Sequence, residues 1–99
     1  MDNPYMAAAI EAVLAERKRQ LDLWGDQSNN QAFEWISILG EEYGELCEAV
    51  NETFFFNATH KERGGVEKII KEAVQVAAVA VSIVESAMRW DEMRENGHG

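Results

Sequence analysis

The sequence predicts an all-α fold on three observations. Apolar residues recur at helical spacing through three long segments. Pro4, Gly25 and Gly64-Gly65 fall where those segments begin or end. No short turn joins two alternating β-branched runs, so there is no hairpin signal. The expected architecture is an antiparallel helical bundle of three main helices, with room for a short fourth, completed by homo-oligomerisation. Residues 1–99 are read as a single helical domain in which 1–4 and 95–99 are frayed.

The first helix is expected over 5–23, with Pro4 in a first-turn position that tolerates it and Ile10, Val13, Leu14, Arg17 and Leu21 along one face. Its second half, Glu16-Arg17-Lys18-Arg19-Gln20, concentrates positive charge near the helix C-terminus, where it complements the dipole. Trp24-Gly25 ends it, with Gly25 as a left-handed cap, and the polar run 26–30 supplies the next N-cap. The second helix is expected over 31–51 or a little further, along a stripe of Leu39, Tyr43, Leu46 and Val50. Gly44 inside it costs about 1 kcal/mol relative to Ala, which predicts close approach of a neighbouring helix.

Phe54-Phe55-Phe56 follows, and three successive aromatics cannot all face one interior. The stretch 57–65 reads as a loop bearing Lys61 and Arg63, with His60 solvated. The third helix is expected over 66–94, ahead of a tail that contains His98. From Ala73 to Val84 it is apolar over more than half its circumference. Two helices of the same chain leave part of so broad a face uncovered, which predicts a homodimer or homotetramer built largely on this helix.

Composition narrows the function. With 46% apolar and 27% charged residues the chain is globular rather than disordered. Nine Lys and Arg against 18 Asp and Glu give a net charge of −9, which argues against nucleic acid as a partner, since its phosphates call for a basic patch. No apolar run reaches the ~18 residues of a membrane span, and residues 1–14 lack a signal peptide's basic start. The single Cys47 excludes an intramolecular disulfide and suits a reducing, cytoplasmic setting.

What carries chemistry is a set of carboxylates. On the second helix Glu42 lies about 60° to one side of the apolar stripe and Glu45 about 120° on the same side. Like charges at that spacing cost roughly 0.2–0.5 kcal/mol per pair, more when burial is added, and a divalent cation is the simplest neutraliser. A solvated acidic face made of Glu41, Glu42, Glu45, Glu48 and Glu52 is the competing reading. On the third helix Glu72 sits on the narrow polar strip with Lys68 and Gln75 beside it.

Glu41-Glu42-Tyr43-Gly44-Glu45-Leu46, followed on the next helix by Glu72-Ala73-Val74-Gln75, resembles the MazG-like branch of the all-α nucleoside triphosphate pyrophosphohydrolases, relatives of the dimeric dUTPases. Arg19-Gln20, Trp24-Gly25-Asp26-Gln27 and Trp35 are similar to the small MazG-like proteins as well, so the resemblance spans roughly 17–85. It implies Mg²⁺, with Mn²⁺ as a substitute, held by Glu42, Glu45, Glu72 and the residue at position 75, with Glu42 activating the attacking water. It also implies a nucleoside triphosphate, ribo or deoxy, cleaved to monophosphate and pyrophosphate, with Trp24 against the base and Lys68 and Lys71 near the outer phosphates. The family's second pair ends in Asp where this chain has Gln75, a neutral oxygen donor that adds no charge and predicts weaker metal binding. A nucleotide-binding or regulatory module without catalysis, and a structural oligomer, are the alternatives.

Overall fold

The computed structural model describes residues 3–25, 30–55 and 65–97. Within them the chain forms three helices and no strand: α1 (Pro4–Trp24), α2 (Ala32–Phe54) and α3 (Val66–Gly97). There is no fourth helix among the described residues. The loop residues 26–29, Phe56, His60, Lys61 and Arg63, and His98 of the tail, lie outside them.

Local chemistry sets the helix borders. The Asn3 side chain accepts from the backbone N–H groups of Tyr5 at 3.0 Å and Met6 at 3.3 Å, so Asn3 and Pro4 form the cap and first turn of α1 instead of fraying. Gly25 closes α1 by donating its N–H to the Leu21 carbonyl at 2.8 Å. Its φ of 73° is positive as expected of a glycine cap, but ψ is −173°, so the chain leaves the helix extended and not in the left-handed helical basin. The N-cap of α2 is Gln31, one residue past the polar run expected to supply it, and its backbone N–H donates to Glu34 at 3.0 Å. At the far end the Thr53 hydroxyl donates to the Ala49 carbonyl at 2.7 Å and accepts from the Gly65 N–H at 2.7 Å, tying the end of α2 to the start of α3. Beyond Arg94, where a frayed tail was expected, α3 continues to Gly97.

Helix α3 is central. It packs on both α1 and α2, while α1 and α2 hardly touch each other. Glu52 meets Lys68 at one end of the α2–α3 seam, and Trp35 lines a cavity with Ser82 and Ser86 at the other. A forked ion pair joins α1 to α3, with Arg17 Nε and Nη2 donating to the two oxygens of Glu85 at 3.0 Å each.

The faces turned inward match those expected in part. On α2, Trp35 and Ala49 are buried, and Leu39, Leu46 and Val50 of the expected stripe are half-buried, as are Ile38, Glu42 and Thr53 to one side of it, while Tyr43 of that stripe is 61% exposed. On α1, Arg17 and Gln20 face α3, while Ile10 and Leu14, though exposed, line an open apolar groove with Val81 of α3, and Leu21 is exposed. Nothing lies within 4 Å of where a Cβ at Gly44 would stand, so the close helix approach expected there is absent within the protomer. The described interior accordingly holds four buried apolar residues, Trp35, Ala49, Ala78 and Val79, against four buried polar ones, Gln20, Glu72, Ser82 and Ser86. Phe54 and Phe55 are exposed, as are Ile70, Val84 and Met88 along the outer side of α3. The accessible surface is 7601 Å², about 1,900 Å² more than a compact 11.2 kDa monomer exposes. The radius of gyration is 16.8 Å where about 13 Å is ordinary for this length.

Gly25→Ala tests the α1 border. Its added Cβ meets nothing within 4 Å, so any loss comes from the backbone, whose positive φ and extended ψ are almost confined to glycine. The substitution is expected to lower stability by about 1–3 kcal/mol in urea unfolding. An unchanged midpoint would mean that the turn relaxes freely.

Candidate functional site

Packing of α2 on α3 brings the carboxylates together. Glu42 is half-buried on α2, Glu45 one turn further along is exposed, and Glu72 on α3 is buried with only 7% of its surface exposed. Glu42, Glu45 and Glu72 each offer an oxygen within 4.8 Å of the other two. Three hard oxygen donors drawn from two helices at this separation suit a small divalent cation.

Gln75, one turn after Glu72, completes the group. With the amide oriented so that its nitrogen faces the carboxylates, Nε2 donates to Glu72 Oε2 at 2.9 Å and to Glu42 Oε2 at 3.3 Å. One amide thus spans α2 and α3 and partly offsets the repulsion of two carboxylates. An Asp at this position offers no such donor.

Burial pushes the Glu42 carboxyl above its ordinary range, and the nearby charges of Glu45, Glu72, Glu16 and Glu41 push it further. The Glu72 carboxyl is raised by burial first and then by sharing a hydrogen bond with Glu45, while Lys71 and Lys68 act in the opposite direction. Glu16 was not singled out as a site residue in the sequence, yet it joins the group from α1. Its carboxylate is held low mainly by Arg19, which donates to it at 2.8 Å and 2.7 Å, and it also accepts from Gln20 Nε2 at 3.1 Å. In the sequence Glu16 opens a basic run, so its neighbours along the chain gave no sign that it would face other acids.

The remaining expected site residues divide. Trp24, the last residue of α1, is 47% exposed and borders a cleft of about 210 Å³ with Ile38, Glu41 and Glu42. Lys71 is exposed and close enough to Glu16 and Glu72 to lower both carboxyls. Lys68 is drawn to the other side, where its Nζ pairs with Glu52 at 3.3 Å. Glu48 is exposed, and Glu52 faces Lys68 rather than the cluster.

A carboxylate whose pKa is raised on folding destabilises the native state once it ionises, so this contribution to stability is intact below the ordinary value near 4.5 and is lost as pH climbs through the raised value. Glu42→Gln removes the cost. In metal-free buffer the variant is expected to melt above the wild type at neutral pH, with the gap closing as pH falls towards 4.5. A gap that is absent, or that widens on acidification, would mean that Glu42 is not strained by its neighbours.

Comparison of the chain with protein-family models, curated proteins and solved structures finds no match.

Proposed function

We propose that the chain is a Mg²⁺-dependent pyrophosphohydrolase that cleaves a nucleoside triphosphate, ribo or deoxy, between its α and β phosphates, releasing the monophosphate and pyrophosphate. The observation that carries this reading is the meeting of Glu42, Glu45 and Glu72 from two helices, with their oxygens within 4.8 Å, beside a cleft walled by Trp24. The resemblance of these two helices to the MazG-like enzymes supplies the reaction class.

A chain of net charge −9 repels a triphosphate. Glu42, Glu45 and Glu72 would hold Mg²⁺, or Mn²⁺ in its place, which when bound would supply the missing positive charge and polarise the phosphoryl group. Glu42 is the base: half-buried, and bordering both the cluster and the cleft, it is placed to take a proton from the attacking water. Glu45 and Glu72 are ligands. Gln75 aligns Glu42 and Glu72 with each other through its amide N–H groups, and turning that amide over would present its oxygen to a cation as a fourth ligand. Lys71 offsets charge on the outer phosphates, and Trp24 offers an aromatic face to the base. Lys68 contributes through its pairing with Glu52, holding the far end of the seam.

A catalytically weak nucleotide-binding module is the second reading, favoured by one observation. The Gln75 amide already bridges Glu42 and Glu72, so the cluster holds together with no cation.

The antiparallel bundle is completed by further copies of the chain, as a homodimer or homotetramer. Four buried apolar side chains among the described residues are a small interior for a domain of this size. The surplus exposed area exceeds the ~800 Å² per partner of a standard interface.

Incubation with a panel of NTPs and dNTPs in Mg²⁺ is expected to yield monophosphate and pyrophosphate for at least one substrate. Glu42→Gln, Glu45→Gln and Glu72→Gln are each expected to lower kcat/KM by roughly two orders of magnitude or more while helical content stays. Glu48→Gln and Glu52→Gln are expected to leave it near the wild-type value. Release of orthophosphate, or five equally harmless substitutions, would remove the assignment.

Gln75→Asp adds a charged ligand and is expected to tighten Mg²⁺ binding while destabilising the metal-free protein. Unchanged affinity in calorimetric titration would place position 75 outside the metal's reach. Sedimentation at micromolar concentration is expected to return a dimer or tetramer. A well-folded monomer would overturn the oligomer.

A further inference from the structure

Two turns along α2 from Glu42, on the side of the cleft away from the cluster, α1, α2 and α3 enclose a polar cavity of about 10 Å³, room for a single oxygen-sized group. Trp35 and Ser86 line it and are 4% and 1% exposed. Trp35 Nε1 and Ser86 Oγ have no hydrogen-bond partner among the described residues. Leaving a buried donor unpaired costs about 1–3 kcal/mol, so two of them beside one cavity call for an occupant. The indole N–H only donates, and the occupant must therefore present an acceptor. Arg89 also borders the cavity and adds positive potential, while Arg17 on the same wall is paired with Glu85. The Ser82 hydroxyl, which donates to the Ala78 carbonyl at 3.2 Å, keeps its lone pairs free on the same wall.

The position of this cavity selects among acceptors. Trp24 borders both the cavity and the cleft that contains Glu42, so cavity, cleft and carboxylates are contiguous around one side chain. Trp35 precedes Glu42 by seven residues, about 10.5 Å along the helix axis. On the reading proposed above, a nucleotide with its phosphates at Glu42 and its base against Trp24 sets the base beside the side chain that also borders the cavity.

Resting on the nucleotide reading above, we infer that the cavity selects the base: it receives the exocyclic oxygen of a 6-oxopurine or a 4-oxopyrimidine, with Trp35 Nε1 and Ser86 Oγ as donors. Guanine, hypoxanthine, uracil and thymine present an acceptor oxygen at that edge. Adenine and cytosine present an amino group there, which sets donor against donor. Trp35 and Ser86 are thus specificity-determining residues that take no part in the hydrolysis.

Hypoxanthine and adenine nucleotides have nearly the same size and differ at that edge, so they isolate the effect. With Mg²⁺ the wild type is expected to favour ITP over ATP by roughly tenfold or more in kcat/KM, the equivalent of one hydrogen bond. Trp35→Phe keeps the ring and removes the N–H, and Ser86→Ala removes the hydroxyl. Each is expected to bring the ratio towards one chiefly by slowing ITP, with circular dichroism recording the fold. Ser86→Ala carries the test alone if Trp35→Phe fails to fold. Quenching of tryptophan fluorescence by inosine and adenosine, in the absence of metal, reads the cavity independently of hydrolysis. Tighter binding of inosine is expected, and binding of neither nucleoside overturns the inference. Hydrolysis with equal ITP and ATP rates, or a ratio untouched in both variants, overturns the base selection and leaves the hydrolase reading standing. Inosine preference without hydrolysis of any triphosphate overturns the hydrolase reading and leaves the cavity's selectivity in place.

Discussion

The burial of the Glu72 carboxylate on α3 is the constraint to which the rest of the structure answers. A carboxylate with 7% of its residue exposed loses most of its hydration, and here the nearest groups include two further carboxylates. The surroundings compensate piecemeal. Gln75 donates to it from one turn away, Lys68 and Lys71 lie on its own helix, and burial, with a hydrogen bond to Glu45, raises its pKa. Each is a partial remedy, and a group kept under such strain is suited to binding a cation and poorly suited to holding a bundle together.

The flanking helices hold that strain in place. Helix α2 packs through Trp35 and Ala49 with half-buried Leu39, Leu46, Val50 and Glu42, so it builds the cluster beside its apolar burial at the cost of leaving Tyr43 and Ile36 outside. Helix α1 makes the same exchange. Arg17 reaches Glu85, Gln20 is buried against the α2–α3 seam, and Ile10 and Leu14 are exposed. The geometry of the cluster and the stability of the chain are thereby set against each other, and the outward apolar faces are the surface that the proposed oligomer would cover.

The site is assembled along the helices. At the open end of α1, Trp24 overhangs the cleft beside Glu42, and Gly25 turns the chain away at once through a conformation that other residues resist. Glu16 and Arg19, two turns earlier, bring a charge-balanced pair to the same neighbourhood, so α1 adds a carboxylate there without adding to the net negative charge. The polar cavity lined by Trp35, Ser82 and Ser86 lies on the same seam, so one pair of packed helices carries both the acidic and the hydrogen-bonding parts of the proposed site.

The sequence by itself determined the three helices and their approximate borders, because helix formation depends on spacing, caps and glycine positions within a few turns of chain. It also marked Glu42, Glu45, Glu72 and Gln75 as one group, through their spacing on two helices and the resemblance that joins them. Only the tertiary structure decided which face of each helix turns inward. On α2 the apolar moment points one way and the carboxylates another, and the choice depends on contacts with a helix some thirty residues away. The donor role of Gln75 towards Glu42, the recruitment of Glu16 and the unpartnered Trp35 N–H follow from that choice. Each is a meeting of atoms from different helices, and local spacing does not encode such a meeting.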